Sequence, residues 1–115
     1  MKRLVLVLGL VLAGSLVLAQ APEPGALDRY AEEGQKALAE GRWADAAGAY
    51  EKLRDLSPET AEVHAQLGMI RFRLREFSRA VPALREALRL KPDLPNVDVL
   101  LAMCLSEVGQ YEQAL

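Results

Sequence analysis

Apolar residues recur along this chain in short bursts at helical spacing. Leu67, Ile70 and Leu74 fall on one face of a helix, and Phe77, Ala80, Val81, Leu84, Ala87 and Leu88 do the same a few residues later. Steps of three and four residues are the period of an α-helix with one buried face. The bursts return at a fixed interval. Gly34, Trp43, Ala46, Leu56 and Pro58 stand 34 residues before Gly68, Phe77, Ala80, Leu90 and Pro92. Leu67, Gly68, Phe77 and Ala80 stand 34 residues before Leu101, Ala102, Tyr111 and Ala114. No gap interrupts the register. A fixed period of roughly 20–50 residues marks an array of stacked units, none of which can bury its apolar face alone.

The pattern predicts individual helices. In the first unit, 27–60, they cover 27–40 and 43–56. Asp28, Glu32 and Glu33 sit near the first N-terminus, where the helix dipole favours anions, and Glu32 precedes Lys36 by four residues, the better orientation for an ion pair. Gly41 supplies the left-handed residue that ends the first helix. Ser57-Pro58 ends the second, because the residue before proline is driven out of helical geometry. In the second unit, 61–94, Thr60 is the predicted N-cap. Pro82 lies inside that unit's second helix and has no N–H for the Ser78 carbonyl, so this helix is expected to begin late, bend, or lose one bond. The third unit begins at Pro95, expected at a first helical position. Its first helix is predicted over 95–108, with Val97, Leu100, Leu101, Cys104, Leu105 and Val108 forming the apolar side. Gly109 is the expected turn, and a second helix starts at Tyr111.

The first residues follow a different rule. Lys2 and Arg3 open the chain, and residues 4–19 form an uncharged apolar run of 16 residues. A basic start, an apolar run and small residues make the three-part build of a secretory signal peptide. Val17-Leu18-Ala19 suits signal peptidase, so cleavage is expected after Ala19, giving a signal peptide over 1–19. A cut after Ala21 would leave Pro22 next in line, which is disfavoured. The run falls short of the ~20 apolar residues of a spanning helix and contains Gly9, Gly14 and Ser15. The competing reading keeps residues 4–19 as an inner-membrane anchor. No cysteine near the cut offers a lipid attachment site. Residues 20–26 read as a short Pro-rich linker, and the repeat array occupies 27–115. The expected location is therefore exported, periplasmic or secreted.

Composition adds little to this picture and excludes some classes. The single cysteine, Cys104, rules out an internal disulfide. The formal charge is −2, too small to imply nucleic-acid or membrane attraction. Removing Lys2 and Arg3 from the 14 basic residues leaves 12 against 16 acidic ones, a net charge of −4. The array is polarised. Unit two carries seven Lys and Arg against four acids, a net of +3, and unit one carries five against eight, a net of −3. Such polarity could steer an acidic partner, or draw neighbouring units together, but a solvated charged face accounts for it as well.

These residues resemble the tetratricopeptide repeat. That family has a 34-residue helix-turn-helix with small residues at its eighth and twentieth positions, a large or aromatic one at the seventeenth and a proline at the thirty-second. Here those positions hold Gly34, Gly68 and Ala102; Ala46, Ala80 and Ala114; Trp43, Phe77 and Tyr111; and Pro58 and Pro92. The steric reason is that the two helices cross at the small residues, where a larger side chain would push them apart. Two positions depart from the family pattern. Position eleven, usually large and apolar, holds Arg71, whose stem is expected to lie along the surface with its head in water. Position fifteen, usually glycine, holds Arg75, where a left-handed turn would cost roughly 1–2 kcal/mol. The resemblance implies an all-α fold, a right-handed solenoid of helical hairpins with about two and a half repeats.

It also implies a concave groove lined by the first helix of each unit. The candidate peptide-binding residues are Gln35, Leu38, Glu62, Ala65, Met69, Phe72, Arg73 and Met103. Some members grip a C-terminal carboxylate with Lys, Asn and Arg in this groove. Ala31, Ala65, Met69 and Met103 stand where those polar residues would be needed, so a carboxylate clamp is not expected. Met69, Phe72 and Met103 suggest an apolar groove for an extended or helical segment, although Met and aromatic residues at helical spacing also serve as core. Nucleic acid is not an expected partner, because export and the core positions of Phe72 and Phe77 argue against it.

No catalytic constellation is present in the sequence. His64 is the only histidine and occupies a core position of its unit. Cys104 reads as a small buried hydrophobe. Glu32 and Glu33 are adjacent, so they point to different helix faces and make no acid–base pair. No glycine pattern suits a phosphate or dinucleotide. The expectation is a non-enzymatic exported scaffold that binds a protein or peptide, without catalytic residues, metal or cofactor. Two other readings remain open: the repeat region at the N-terminus of a longer exported enzyme, and a membrane-anchored envelope assembly factor. Leu100, Leu101, Leu105 and Leu115 lack the helix that should cover them. The chain therefore reads as a fragment, or as an array whose cover comes from a partner, with self-association through the uncapped third unit as one form of it.

Overall fold

A computed structural model describes residues 23–114. The expected signal segment and Leu115 lie outside the described residues. Among those described, five helices and no strands are found: α1 (Ala26–Ala39), α2 (Trp43–Leu56), α3 (Ala61–Arg73), α4 (Phe77–Leu90) and α5 (Val97–Ala114). α1 packs on α2 and α3 on α4 as antiparallel hairpins, while α2 touches α3 and α4 touches α5. The all-α hairpin array is the fold class expected.

The two hairpin turns are built alike. At the end of α1, Arg42 N–H bonds to the Ala37 carbonyl at 2.8 Å and Gly41 N–H to the Leu38 carbonyl at 3.1 Å. At the end of α3, Glu76 N–H bonds to Arg71 at 2.8 Å and Arg75 N–H to Phe72 at 2.9 Å. This paired pattern is the Schellman motif, and it requires a left-handed residue just past the helix. Gly41 has φ 70° and Arg75 has φ 62°. Arg75 therefore adopts the conformation in which a Cβ is strained, as its position in the repeat requires. Its guanidinium lies 5.4 Å from the centre of the Phe77 ring, a contact that offsets part of the strain.

The hairpins close over glycine. A Cβ on Gly34 would stand 2.7 Å from Tyr50 Cε2, and one on Gly68 would stand 2.6 Å from Leu84 Cγ. Each second helix thus presses one large side chain onto a bare stretch of the first helix. Ala46 and Ala80, the other small positions, are fully buried beside them. One core cluster joins Ala37, Ala46, Tyr50 and Leu53 to Leu67 and Ile70 of α3. The second joins Ala80, Leu84 and Ala87 to Val97 and Cys104 of α5, with Ala65 and Phe72 of α3 packed against it. α3 belongs to both clusters and ties them together.

Several expectations need correction. The largest concerns the third unit. α5 runs unbroken through Gly109, which is helical and has no positive φ. Continuing the existing helix adds one hydrogen bond per residue at the modest cost of a helical glycine. Ala102 is consequently exposed and not in a helix crossing, and Leu105 is 42% exposed. Pro95 does not occupy a first helical position. α5 begins at Val97, and Asn96 precedes it in a left-handed conformation with φ 66°, its carbonyl accepting the Leu100 N–H.

Smaller differences follow the same logic. α1 begins one residue earlier than expected because Gly25, in a left-handed conformation with φ 76°, turns its carbonyl onto the Arg29 N–H. Thr60 stands at the N-cap of α3, but its hydroxyl pairs with Ser57 Oγ at 2.6 Å and not with the helix. α4 starts at Phe77 and runs through Pro82, so of the three expected outcomes the late start does not occur. Glu32 and Lys36 form no ion pair within 4.0 Å. Arg71 does not reach solvent. It is 4% exposed, with Nη2 donating to Glu51 Oε1 of α2 at 2.6 Å and Nη1 lying 3.8 Å from Glu76. Glu51 also lies 3.9 Å from Arg79. The opposite charges of units one and two therefore meet at their boundary.

Candidate functional site

The eight groove residues divide into two groups. Leu38 and Met69 are half-buried against the first core cluster, and Ala65 and Phe72 against the second. Phe72 meets the Phe77 ring edge-on, with centroids 5.6 Å apart and planes at 67°. These four have a core role as well as any surface role. Gln35, Glu62, Arg73 and Met103 are exposed. Met103 is 48% exposed, and Val99, four residues before it on α5, is 56% exposed. They put an unbranched thioether and a valine in water on successive turns, while Leu27 on α1 and Leu105 on α5 are also exposed. Two clefts, one between α1 and α2 and one lined by residues of α2, α3 and α4, include none of the eight residues.

Two groove side chains are held by contacts that the repeat period did not reveal. Glu62 lies 3.4 Å from Lys91, at the far end of the same hairpin. Its carboxyl is held below the usual carboxylate range, first by its own backbone N–H and then by the Lys91 ammonium. Arg73 places its guanidinium 5.3 Å from the centre of the Trp43 ring on α2. Both contacts join different elements, so a pattern read along one helix cannot show them. The Arg71–Glu51 pair was missed for the same reason.

The titratable groups apart from the groove are structural. His64 is 6% exposed, and its Nε2 donates to the Pro58 carbonyl at 2.7 Å, which fastens the loop between the hairpins to α3. Burial pushes the Cys104 thiol up, assisted by Glu107, and pushes the Tyr50 phenol up. A thiol held in its protonated form is a poor nucleophile. Among the described residues no group of three or more His, Cys, Asp or Glu could hold a metal ion, and no helix is long and apolar enough to cross a membrane.

Comparison with known proteins bears on the hairpin array as a whole. Residues 31–95 match the model of the tetratricopeptide repeat. No curated protein matches the chain by sequence. Among solved structures the chain is similar to one described as the TPR2B-domain:pHsp70-complex of yeast Sti1, with a TM-score of 0.68 and 20% identity over 79% of this chain and 73% of that one. That likeness speaks for the fold. Together with the glycine-crossed hairpins and the match over more than half its length, it means that this chain belongs to the tetratricopeptide repeat family, whose domains are generally protein–protein interaction modules.

Proposed function

We propose that the chain is an exported scaffold that binds an apolar protein or peptide segment along the first helices of its hairpins. The observation that carries this reading is the exposure of Val99 and Met103, 56% and 48%, on the same series of helices as the half-buried Met69 and Phe72. Methionine adapts its shape to varied apolar partners, and a helix or strand laid in such a groove is held by alternate apolar anchors. The family is typically a non-enzymatic scaffold, and the related yeast domain is described in complex with pHsp70, which supports a polypeptide as the partner class. Ala65, Met69 and Met103 favour an apolar segment over a terminal carboxylate. Export rests on Lys2, Arg3 and the apolar run at 4–19, with cleavage after Ala19.

Binding to a peptide panel tests the groove. Apolar segments are expected to bind, and Met103→Glu is expected to weaken them about tenfold or more, the size of one good apolar anchor. A preference for acidic C-termini, insensitive to Met103→Glu, would overturn the reading. The mass of the protein recovered from its source cells tests export. A species beginning at Gln20 is expected, and one retaining Met1 in a cytosolic fraction would contradict it.

A further inference from the structure

Arg73 is the last residue of α3 and stands four residues after Met69, one helical turn along the same face. It is exposed, and its guanidinium lies over the Trp43 ring, 5.3 Å from the centre. A ring engages a guanidinium through its charge, so the fork of N–H donors that fits a carboxylate remains available. The ring also holds the head in place, and a partner that meets it then costs less side-chain freedom. At the other end of α3, the groove acid Glu62 is already engaged by Lys91 at 3.4 Å. The unengaged charge of these two groove residues is therefore positive.

Arg73 has no carboxylate within 4.0 Å among the described residues, whereas Arg29, Arg42, Arg54, Arg71, Arg79 and Arg89 each have at least one. The acids of the neighbouring turns are bound elsewhere. Glu40 and Asp45 flank Trp43 in sequence, and both pair with Arg42, at 2.7 and 3.0 Å. Glu76, three residues after Arg73, pairs with Arg79 at 2.8 Å and lies 3.8 Å from Arg71. Glu107 is the one acid at a matching place, 34 residues after Arg73 on α5, and it lies beyond 4.0 Å from every described cation. A second exposed cation follows in the turn. Arg75 also has no carboxylate within 4.0 Å, and its guanidinium rests 5.4 Å from the centre of the Phe77 ring.

We propose that Arg73 determines specificity in the groove by taking an Asp or Glu side chain that flanks the apolar segment of the polypeptide partner. Arg75 adds positive charge at the same edge of the hairpin. The inference rests on the reading of the groove as a site for an apolar segment, and it names the partner's chemistry at one end of that segment. A side-chain carboxylate is the occupant because it complements the charge and fits the planar fork in a paired, two-bond contact. Such a contact stands beside Met69, so one partner segment supplies an apolar anchor and an acid on neighbouring turns.

The test is titration of the whole chain with peptides blocked at both ends, so that no terminal charge contributes. Each peptide has leucines at helical spacing, with two glutamates before or after them. Its twin has glutamines instead. In one of the two placements the glutamate peptide is expected to bind about fivefold more tightly than its twin, the upper range for an exposed ion pair. The ratio is expected to shrink in high salt. Arg73→Gln is expected to bring the ratio to about one without changing the affinity for the glutamine peptide. Arg73→Lys keeps the charge and loses the fork, and is expected to keep a smaller ratio. Circular dichroism checks that Arg73→Gln is folded. If it is not, Arg73→Lys decides, and a ratio equal to that of the unaltered chain would overturn the proposal. Equal binding of glutamate and glutamine peptides, or a ratio that persists in Arg73→Gln, would overturn the proposal and leave the groove reading intact. If none of the peptides binds, both are overturned.

Discussion

Arg71 carries a full charge where only 4% of the residue meets solvent. Its burial is tolerable because Glu51, Glu76 and Arg79 share a network that crosses the boundary between hairpins. Breaking such a pair from one side costs more than replacing the buried charge by an apolar group of similar volume. Glu51→Gln is expected to destabilise the chain by about 1–3 kcal/mol, because it leaves the guanidinium with a weakened partner. Arg71→Met is expected to cost under ~1.5 kcal/mol, because Glu51, 36% exposed, can be rehydrated. Urea denaturation of both variants gives the order, and the reverse order would contradict the network. Tyr50 and Cys104 extend residue-scale reasoning to pH. Both have folded pKa values raised by burial. Their contribution to stability is fully present below the unfolded values, 9.0 for the thiol and 10.0 for the phenol, and is lost as pH rises above them. The denaturation midpoint is expected to fall on the basic side of 9.0, and to fall less in the Tyr50→Phe, Cys104→Ala double variant.

At the scale of the element, α5 shows where sequence reading succeeds and where it stops. Gly109 lies 34 residues after Arg75, and Arg75 lies 34 after Gly41. The first two make left-handed turns and the third does not. The turn was legible at Gly41 and Arg75 because a whole helix follows each and folds back onto the one before it. At Gly109 the periodic signal is equally good, but a glycine also continues a helix at modest cost, and α5 runs through it. Gly109→Ala separates the two states. In a helix the change is expected to stabilise by about 0.5–1 kcal/mol, whereas at a left-handed turn it would destabilise by a similar amount or more. Thermal melts decide the sign. Pro82 marks a second element, for which the pattern left a choice of outcomes. It sits at the sixth residue of α4 without ending it, so α4 is held by contacts of Ala80, Val81 and Leu84 and not by propensity. Pro82→Ala is expected to stabilise by about 1–3 kcal/mol, because it returns an N–H to the Ser78 carbonyl and removes the ring from its path.

The whole molecule depends on α3. The groove positions could be read from register alone, but the division between those that face a core and those that face water depends on which helices flank each one. Among the described residues α1 packs on α2, and α5 packs on α4 and touches α3, and Gln35 and Met103 are exposed. α3 lies between the two clusters, and Ala65, Met69 and Phe72 are drawn into them. The same position makes Gly68 more sensitive than Gly34. A Cβ at either one meets a side chain within contact distance, so alanine forces a shift that costs about 1–3 kcal/mol, less the gain in helix propensity of about 1 kcal/mol. At Gly34 the ring of Tyr50 must move within one cluster. At Gly68 the shift of Leu84 displaces α3 against α4, and Leu67 and Ile70 on the other face carry the displacement into the first cluster. Repeat arrays are stabilised by the contacts between neighbours, so damage at a shared helix spreads. Gly68→Ala is expected to lose more stability than Gly34→Ala and to expose amides of both hairpins to hydrogen exchange. Gly34→Ala is expected to open α1 and α2 while leaving α4 and α5 protected. Equal exchange patterns in the two variants would show that the hairpins unfold as one unit whichever helix is disturbed.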